Sequence, residues 1–241
     1  MKHMKGHEGL TSIETLSFSH AKFAYDRTKP IFTDLTVDVP MNSCIFVNGP
    51  NGSGQSTFLK LLAVLVQPQG GSYLINGVDT TDMSFEEFLP FRRKIGYTFD
   101  YGGLFANRTL LDNLALPLVY HKISTVQEAE AEIQELAARF KFDGQLEQRP
   151  AEVSGGLRKL VCVLRSFLTK PEMIVMDDPV TGIGPDGSGK LIELIRNKKE
   201  TGELKHVFLT SREESWATRM GCKTLWIEKE KLHLREAERA A

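Results

Sequence analysis

A short apolar run, a glycine-rich loop and a second apolar run follow one another without a break, and this order constrains the fold more than any other feature of the chain. Cys44-Ile45-Phe46-Val47-Asn48 has the composition of a buried strand, and Phe58-Leu59-Lys60-Leu61-Leu62-Ala63-Val64-Leu65 reads as a buried helix. Between them, Gly49-Pro50-Asn51-Gly52-Ser53-Gly54-Gln55-Ser56-Thr57 satisfies the pattern G-x-x-x-x-G-K-[ST] except at Gln55, where the lysine is missing. In the full pattern the glycines let backbone N–H groups close on phosphates, the lysine ammonium reaches the β and γ phosphates, and the following hydroxyl holds Mg²⁺. Gly and Asn also mark ordinary turns, so it is the strand, loop and helix order that identifies a phosphate cradle. The cradle is kept and its one positive charge is not.

Two downstream segments extend the pattern. Val153-Ser154-Gly155-Gly156-Leu157 precedes a helical run in which Leu157, Leu160, Val161, Leu164, Phe167 and Leu168 share one face. That helix begins at glycines, with its first N–H groups open to an anion. Met173-Ile174-Val175-Met176 then ends in Asp177-Asp178-Pro179, an apolar strand closing on acid.

In this order the segments resemble the Walker A loop, LSGGQ signature and Walker B strand of ABC-type ATPases, and the resemblance runs from about Glu14 to Leu234. Ile95 to Phe105, followed by Thr109 to Leu118, is similar to the Q-loop and the helix after it, and the wording GGLF and DNLALPL is most similar to ATPase subunits of Mla-type phospholipid transporters. The resemblance implies an α/β P-loop NTPase fold: a mainly parallel central sheet, an antiparallel β-subdomain and an inserted α-helical subdomain over about 100–168. Residues 1–241 are expected to form one such nucleotide-binding domain, with a charge-rich solvated tail over about 228–241. ATP and Mg²⁺ are the implied cofactors. Phosphate would meet Gly49, Asn51, Gly52, Gly54, Gln55, Ser56 and Thr57, and adenine would stack on Tyr25, although Tyr25 alternates with Phe18 and Phe23 and reads equally as sheet packing. Ser56 and Asp177, with Asp100, would face the metal. Ser154, Gly155 and Gly156 would complete a site on a partner subunit.

The departures from the family pattern fall where phosphate, metal and water are handled. At Gln55 a neutral amide still donates to a phosphate oxygen, but a charge-assisted hydrogen bond is worth about 1.5–3 kcal/mol against about 1 for a neutral one. Stabilisation of a transferring phosphoryl group suffers more than binding, because charge shifts there in the transition state. Asp178 stands where the family has its catalytic glutamate; the lost methylene draws the carboxylate back by more than about 1 Å, and misplacement of that size costs ~10²-fold in rate. Ser211 stands at the switch histidine and is too short to reach a γ-phosphate. Asp100 replaces the Q-loop glutamine and puts an anion near metal or phosphate, Gly184 replaces the D-loop aspartate, and Leu157 replaces the signature glutamine.

Composition bounds the alternatives. With 30 basic and 31 acidic residues in 241, the net charge of -1 gives no broad basic field for nucleic acid. Cys44, Cys162 and Cys222 lack C-x-x-C or His spacing, which favours reduced structural thiols over a metal site or a disulfide framework. No stretch approaches the ~20 apolar residues of a membrane span, and Met1 to Glu14 has no signal-peptide apolar region. Strands are predicted at Thr15–Phe23, Thr36–Pro40, Cys44–Asn48, Ser72–Ile75, Lys94–Phe99, Met173–Met176, His206–Thr210 and Lys223–Ile227. Ser124-Thr125-Val126-Gln127 predicts a capping box, followed by Val126, Ala129, Ile133, Leu136, Ala137 and Phe140 at helical spacing.

The favoured expectation is a degenerate ATP-binding subunit of an ABC-type transporter, binding nucleotide weakly or not at all. It would act as a structural or regulatory half of a dimer on the cytoplasmic face of the plasma membrane. Its partners would be an integral-membrane permease and a second ABC ATPase subunit, and Leu104, Phe105, Leu110 and Leu111 are candidates for the groove that receives a permease helix or, equally, for simple core. One alternative is an active transport ATPase in which Asp100 or Arg212 compensates. Another is a soluble ABC protein without permease, which would usually carry two nucleotide domains or a long coiled-coil insertion; neither is seen.

Overall fold

The computed structural model describes residues 12–100, 103–228 and 231–235. Tyr101 and Gly102 of the Q-loop segment, and the ends of the chain at 1–11 and 236–241, lie outside the described residues. The described residues form two sheets. In the first, β1 (Leu16–Asp26), β2 (Lys29–Asp38), β4 (Gly70–Ile75) and β5 (Val78–Asp79) are all antiparallel, in the order β2-β1-β4-β5. In the second, β3 (Cys44–Asn48), β6 (Ile95–Thr98), β7 (Met173–Met176), β8 (His206–Leu209), β9 (Lys223–Glu228) and β10 (Lys231–Arg235) lie in the order β10-β9-β3-β8-β7-β6. Every pairing in that sheet is parallel except β9 with β10. A mainly parallel central sheet with an antiparallel companion is thus the observed architecture.

The central strands are apolar throughout because both faces of the sheet are covered. Alternation assigns their side chains to the two sides: Ile45, Val47, Met173, Val175 and Phe208 join one core, while Phe46, Ile174, Met176, Val207 and Leu209 join the other. On the first side α1 (Gln55–Leu62) buries Phe58, Leu59, Leu61 and Leu62 against the antiparallel sheet, where Phe18 stacks on Tyr73 at 4.3 Å between ring centroids. The second side is filled by α3 (Leu110–Tyr120), α4 (Val126–Phe140), α5 (Gly155–Leu168), α6 (Pro185–Glu200) and α7 (Glu214–Met220), with Trp216 buried among them. α2 (Phe85–Arg92) completes the helices and buries none of its residues fully.

β1 keeps an apolar face through a bulge. Phe18 and Ala21 are both buried although three residues apart, and the pairing slips between them at His20, whose φ is 50°. Opposite it, a Cβ on Gly71 would stand 2.1 Å from the His20 carbonyl oxygen, so only glycine fits.

Several expectations are corrected. β2 begins at Lys29 rather than Thr36, because edge residues pair with β1 without needing burial. Within the expected tail, residues 231–235 are a paired strand: β10 pairs with β9 across Leu232↔Ile227 and Leu234↔Leu225, its alternating leucines hidden by the surrounding charge, and 229–230 and 236–241 lie outside the described residues. The capping box of α4 is shifted by one residue, with Thr125 Oγ1 accepting from Glu128 N, and Val126 lies exposed. Cys44 and Cys222 are joined by a disulfide across the starts of neighbouring β3 and β9, with Cα atoms 4.6 Å apart, so the reduced-thiol expectation fails for two of the three cysteines. A separation of 178 residues hid the pairing from sequence. Cys162 remains a free thiol, and burial raises its pKa.

Candidate functional site

The glycine loop leaves β3 and turns directly into α1. Gly52 and Gly54 have φ of 80° and 99°, and a Cβ on Gly49 would lie 2.3 Å from the Ile227 carbonyl oxygen. No side chain caps the start of α1, so its first backbone donors are open toward the loop. Ser53 Oγ is buried without a hydrogen-bond partner inside the same loop. Glycine geometry, open donors and an orphaned hydroxyl fit a phosphate group. Gln55 does not extend into that space: its Nε2 donates to the Gly49 carbonyl at 2.7 Å, closing the loop on itself. Asn51 is exposed, whereas Thr57 is buried under α1 at 6% exposure.

Behind the loop, Asp177 Oδ1 accepts from Ser56 Oγ at 3.0 Å and from Thr210 Oγ1 at 2.7 Å. One carboxylate oxygen thereby ties the start of α1, the end of β7 and the end of β8. Asp178 follows with φ of 46°, a left-handed conformation that turns its side chain inward. Its Oδ1 accepts from Thr181 Oγ1 at 2.9 Å and from the Arg212 backbone N–H at 3.2 Å. Its Oδ2 is buried and has no hydrogen bond; the compensating group is Arg212 Nε, ion-paired at 3.4 Å.

Arg212 also meets Asp100, Nη2 to Oδ2 at 3.1 Å, and Lys159 of α5 meets Asp100 Oδ1 at 3.0 Å and donates to its backbone carbonyl. Four charged groups from four chain segments are so joined, and the Asp100 oxygens are directed at cations rather than at Ser56 or Asp177. Among the described residues no group of three or more His, Cys, Asp or Glu side chains could hold a metal ion. A cleft of about 390 Å³ opens beside the network, lined by Asp100, Leu104, Gly155, Arg158, Lys159 and Thr181 among others. Sequence reading missed Lys159. A buried lysine in an otherwise apolar helix face was the available signal, but beside Arg158 it passes for a solvated charge.

Ser154 caps α5, its Oγ accepting from Leu157 N at 3.2 Å. A Cβ on Gly156 would stand 2.1 Å from the Gly182 carbonyl oxygen, so the start of α5 and the loop after Asp178 are in backbone contact. Gly155 is exposed, and Gly184 precedes α6 with φ of 84°. Ser211 exchanges hydrogen bonds with Glu213, Oγ to the carbonyl at 3.2 Å and N–H to Oγ at 3.0 Å, and so shapes the turn into α7. Tyr25 is 60% exposed at the end of β1, edge-on to Phe23 and with Lys60 Nζ 5.7 Å from its ring centroid. That exposure removes it from the core.

A second groove, of about 630 Å³, is lined by Phe85 and Leu89 of α2, Leu116 and Tyr120 of α3, and Phe105. Leu110 is fully buried and Leu111 packs against the same core, so these two do not reach it; Leu104 faces the smaller cleft.

Residues 32–181 match the family model described as ABC transporter. The chain is 34% identical over 165 residues to the "Probable ribonucleotide transport ATP-binding protein mkl" of Mycobacterium leprae, covering 68% of this chain and 48% of the relative. It is 30% identical over 179 residues to "Methionine import ATP-binding protein MetN 1" of Rhodopseudomonas palustris, covering 73% and 47%. It therefore spans about half the length of the curated relatives it matches. A dimeric ATP-binding cassette solved in a post-hydrolysis state with ADP and Pi superimposes with a TM-score of 0.82 at 21% identity, covering 93% of this chain and all of that one. At that identity the likeness speaks for the fold alone.

Proposed function

The chain belongs to the ABC transporter family, and on that premise we propose that it is an ATP-binding subunit of a membrane transporter whose own phosphate site is impaired for hydrolysis. The observation that carries the proposal is Gln55 folded onto the Gly49 carbonyl: the position that normally supplies a cation instead braces the loop. Asp178, shorter than the family's glutamate, is held inward by Thr181 and Arg212, which removes it from the task of polarising water. Ser211 is spent on its own turn. Ser56 and Asp177 would hold Mg²⁺, the glycine loop would take the phosphates, and Tyr25 would meet the base. When bound, Mg²⁺ would supply charge neutralisation at the phosphates.

The division into one nucleotide-binding domain with a helical subdomain over about 100–168 belongs to this reading, as do the partners. In an ABC dimer the signature of one subunit completes the site of the other, so Ser154 to Gly156 would serve a partner's nucleotide. A heterodimer would keep one sound site; a homodimer would keep none. The groove between α2 and α3, with exposed Phe85, Phe105 and Tyr120, is our choice for the permease helix, and it replaces Leu110 and Leu111. No helix among the described residues is long and apolar enough to cross a membrane. Attachment to the cytoplasmic face would come through the permease.

The test is steady-state phosphate release by the purified full chain, alone and with co-purified subunits, beside Asp177→Ala. Release at the level of Asp177→Ala is expected. Robust turnover that disappears in Asp177→Ala would establish an active ATPase instead. Recovery of a permease from detergent-solubilised membranes is expected; purification without one would favour a soluble role.

A further inference from the structure

The loop lacks its cation, but one stands at the acids behind it. We propose that Arg212 is the terminal-phosphate ligand of this site, exchanging Asp100 for the phosphate when a nucleoside triphosphate is present; the inference rests on the reading of loop 49–57 as a nucleotide site.

Position comes first. Ser56, at the start of α1, shares the Asp177 oxygen with Thr210, and Arg212 is two residues beyond Thr210 with its backbone N–H fixed to Asp178 Oδ1 at 3.2 Å. The backbone of Arg212 is thus pinned beside the acids that close the phosphate loop. Its side chain remains 72% exposed. Lys159, the other cation of the network, is 8% exposed and held by two oxygens of Asp100, so it is not free to turn. Lys60 is placed at the Tyr25 ring.

Atom by atom, the exchange leaves no buried charge uncompensated. Arg212 Nε serves the buried Asp178 Oδ2, and Nη2 serves Asp100 Oδ2. Nη1 makes no hydrogen bond among the described residues. A small rotation that keeps Nε on Asp178 would release Nη2 and leave both Nη groups available to a phosphate, the forked geometry in which a guanidinium binds phosphate best. Asp100 would not be stranded, because it is 40% exposed and retains Lys159. Asp178 could not be released so cheaply, being buried at 4% exposure. The weaker, wetter pair is therefore the one that breaks.

Asp100 then acts as a competitor for Arg212, and its loss should help binding. The experiment measures equilibrium affinities of ATP and ADP, with Mg²⁺, for the full chain and for Arg212→Ala, Arg212→Lys and Asp100→Asn, with thermal unfolding as a check on folding. Arg212→Ala is expected to weaken ATP by about 10- to 100-fold and ADP by less than about threefold, since only the triphosphate reaches the guanidinium. Arg212→Lys should fall between, and Asp100→Asn should tighten ATP several-fold. If Arg212→Ala does not fold, the ATP-against-ADP split in Arg212→Lys decides. Equal losses for both nucleotides, unchanged or tighter ATP binding in the arginine variants, or no ATP binding by the unaltered chain would each overturn the assignment. None of those results alters the proposal of impaired hydrolysis, which phosphate release tests separately.

Discussion

Gln55 shows how a single residue can brace a loop from within. Its amide satisfies the Gly49 carbonyl, a bond that a lysine at this position would be free to give up for a phosphate. Gln55→Lys is therefore expected to tighten ATP binding by about tenfold, the difference between a neutral and a charge-assisted hydrogen bond, as read by equilibrium titration. Hydrolysis should not follow from that change alone, because Asp178 stays buried behind Thr181 and Arg212. Affinity unchanged in Gln55→Lys would mean that the loop, not the missing charge, limits binding. Gly156 makes a sharper demand. With the Gly182 oxygen 2.1 Å from any added Cβ, Gly156→Ala forces backbone apart, and a loss of about 1–3 kcal/mol in denaturant unfolding is expected.

At the level of elements, local signals and burial act together. The box at the start of α4 pairs Thr125 with Glu128 through both backbone and side chain, and Thr125→Ala should cost about 1 kcal/mol, measurable as a shift in the urea midpoint. Where the signal is an apolar run buried on both faces, sequence and structure coincide: β3 and β7 have the predicted bounds. Where the signal is pairing, they diverge. β5 and β10 are short or charged strands whose existence depends on a neighbour, and α2 was overlooked because Pro90 and its largely exposed surface break the helical pattern. The candidate site divides in the same way. Gln55, Asp177 and the signature glycines are legible because each belongs to a continuous motif. The bond between Arg212 and Asp100 spans 112 residues and that between Lys159 and Asp100 spans 59, so no local pattern contains them.

Over the whole molecule, the central sheet, the turn before β3 and the N-terminal segment are stitched together by groups that must keep one protonation state. His206, at the start of β8, accepts the Asn42 N–H on Nδ1 at 2.9 Å and so donates from Nε2 to the Ile13 carbonyl at 2.8 Å. Both bonds require the neutral ring, and burial lowers its pKa below 6.5. The unfolded chain therefore takes up a proton before the folded one does, so stability is complete above about pH 6.5 and declines as pH falls below it. Glu172, which accepts from Ser12, the Ile13 N–H and Lys94, adds a second loss at lower pH: burial alone would raise its pKa, but these partners hold it below 4.5. Melting temperature followed from about pH 8 to 4 should fall in that order, and His206→Gln should flatten the first step; an unchanged slope in His206→Gln would remove His206 from this account. One consequence of the Gly156 and Gly182 approach concerns assembly. Because these two backbones touch, Ser154 to Gly156 and the loop after Asp178 form a single seam, and any surface laid on the start of α5 is obliged to press against that loop as well.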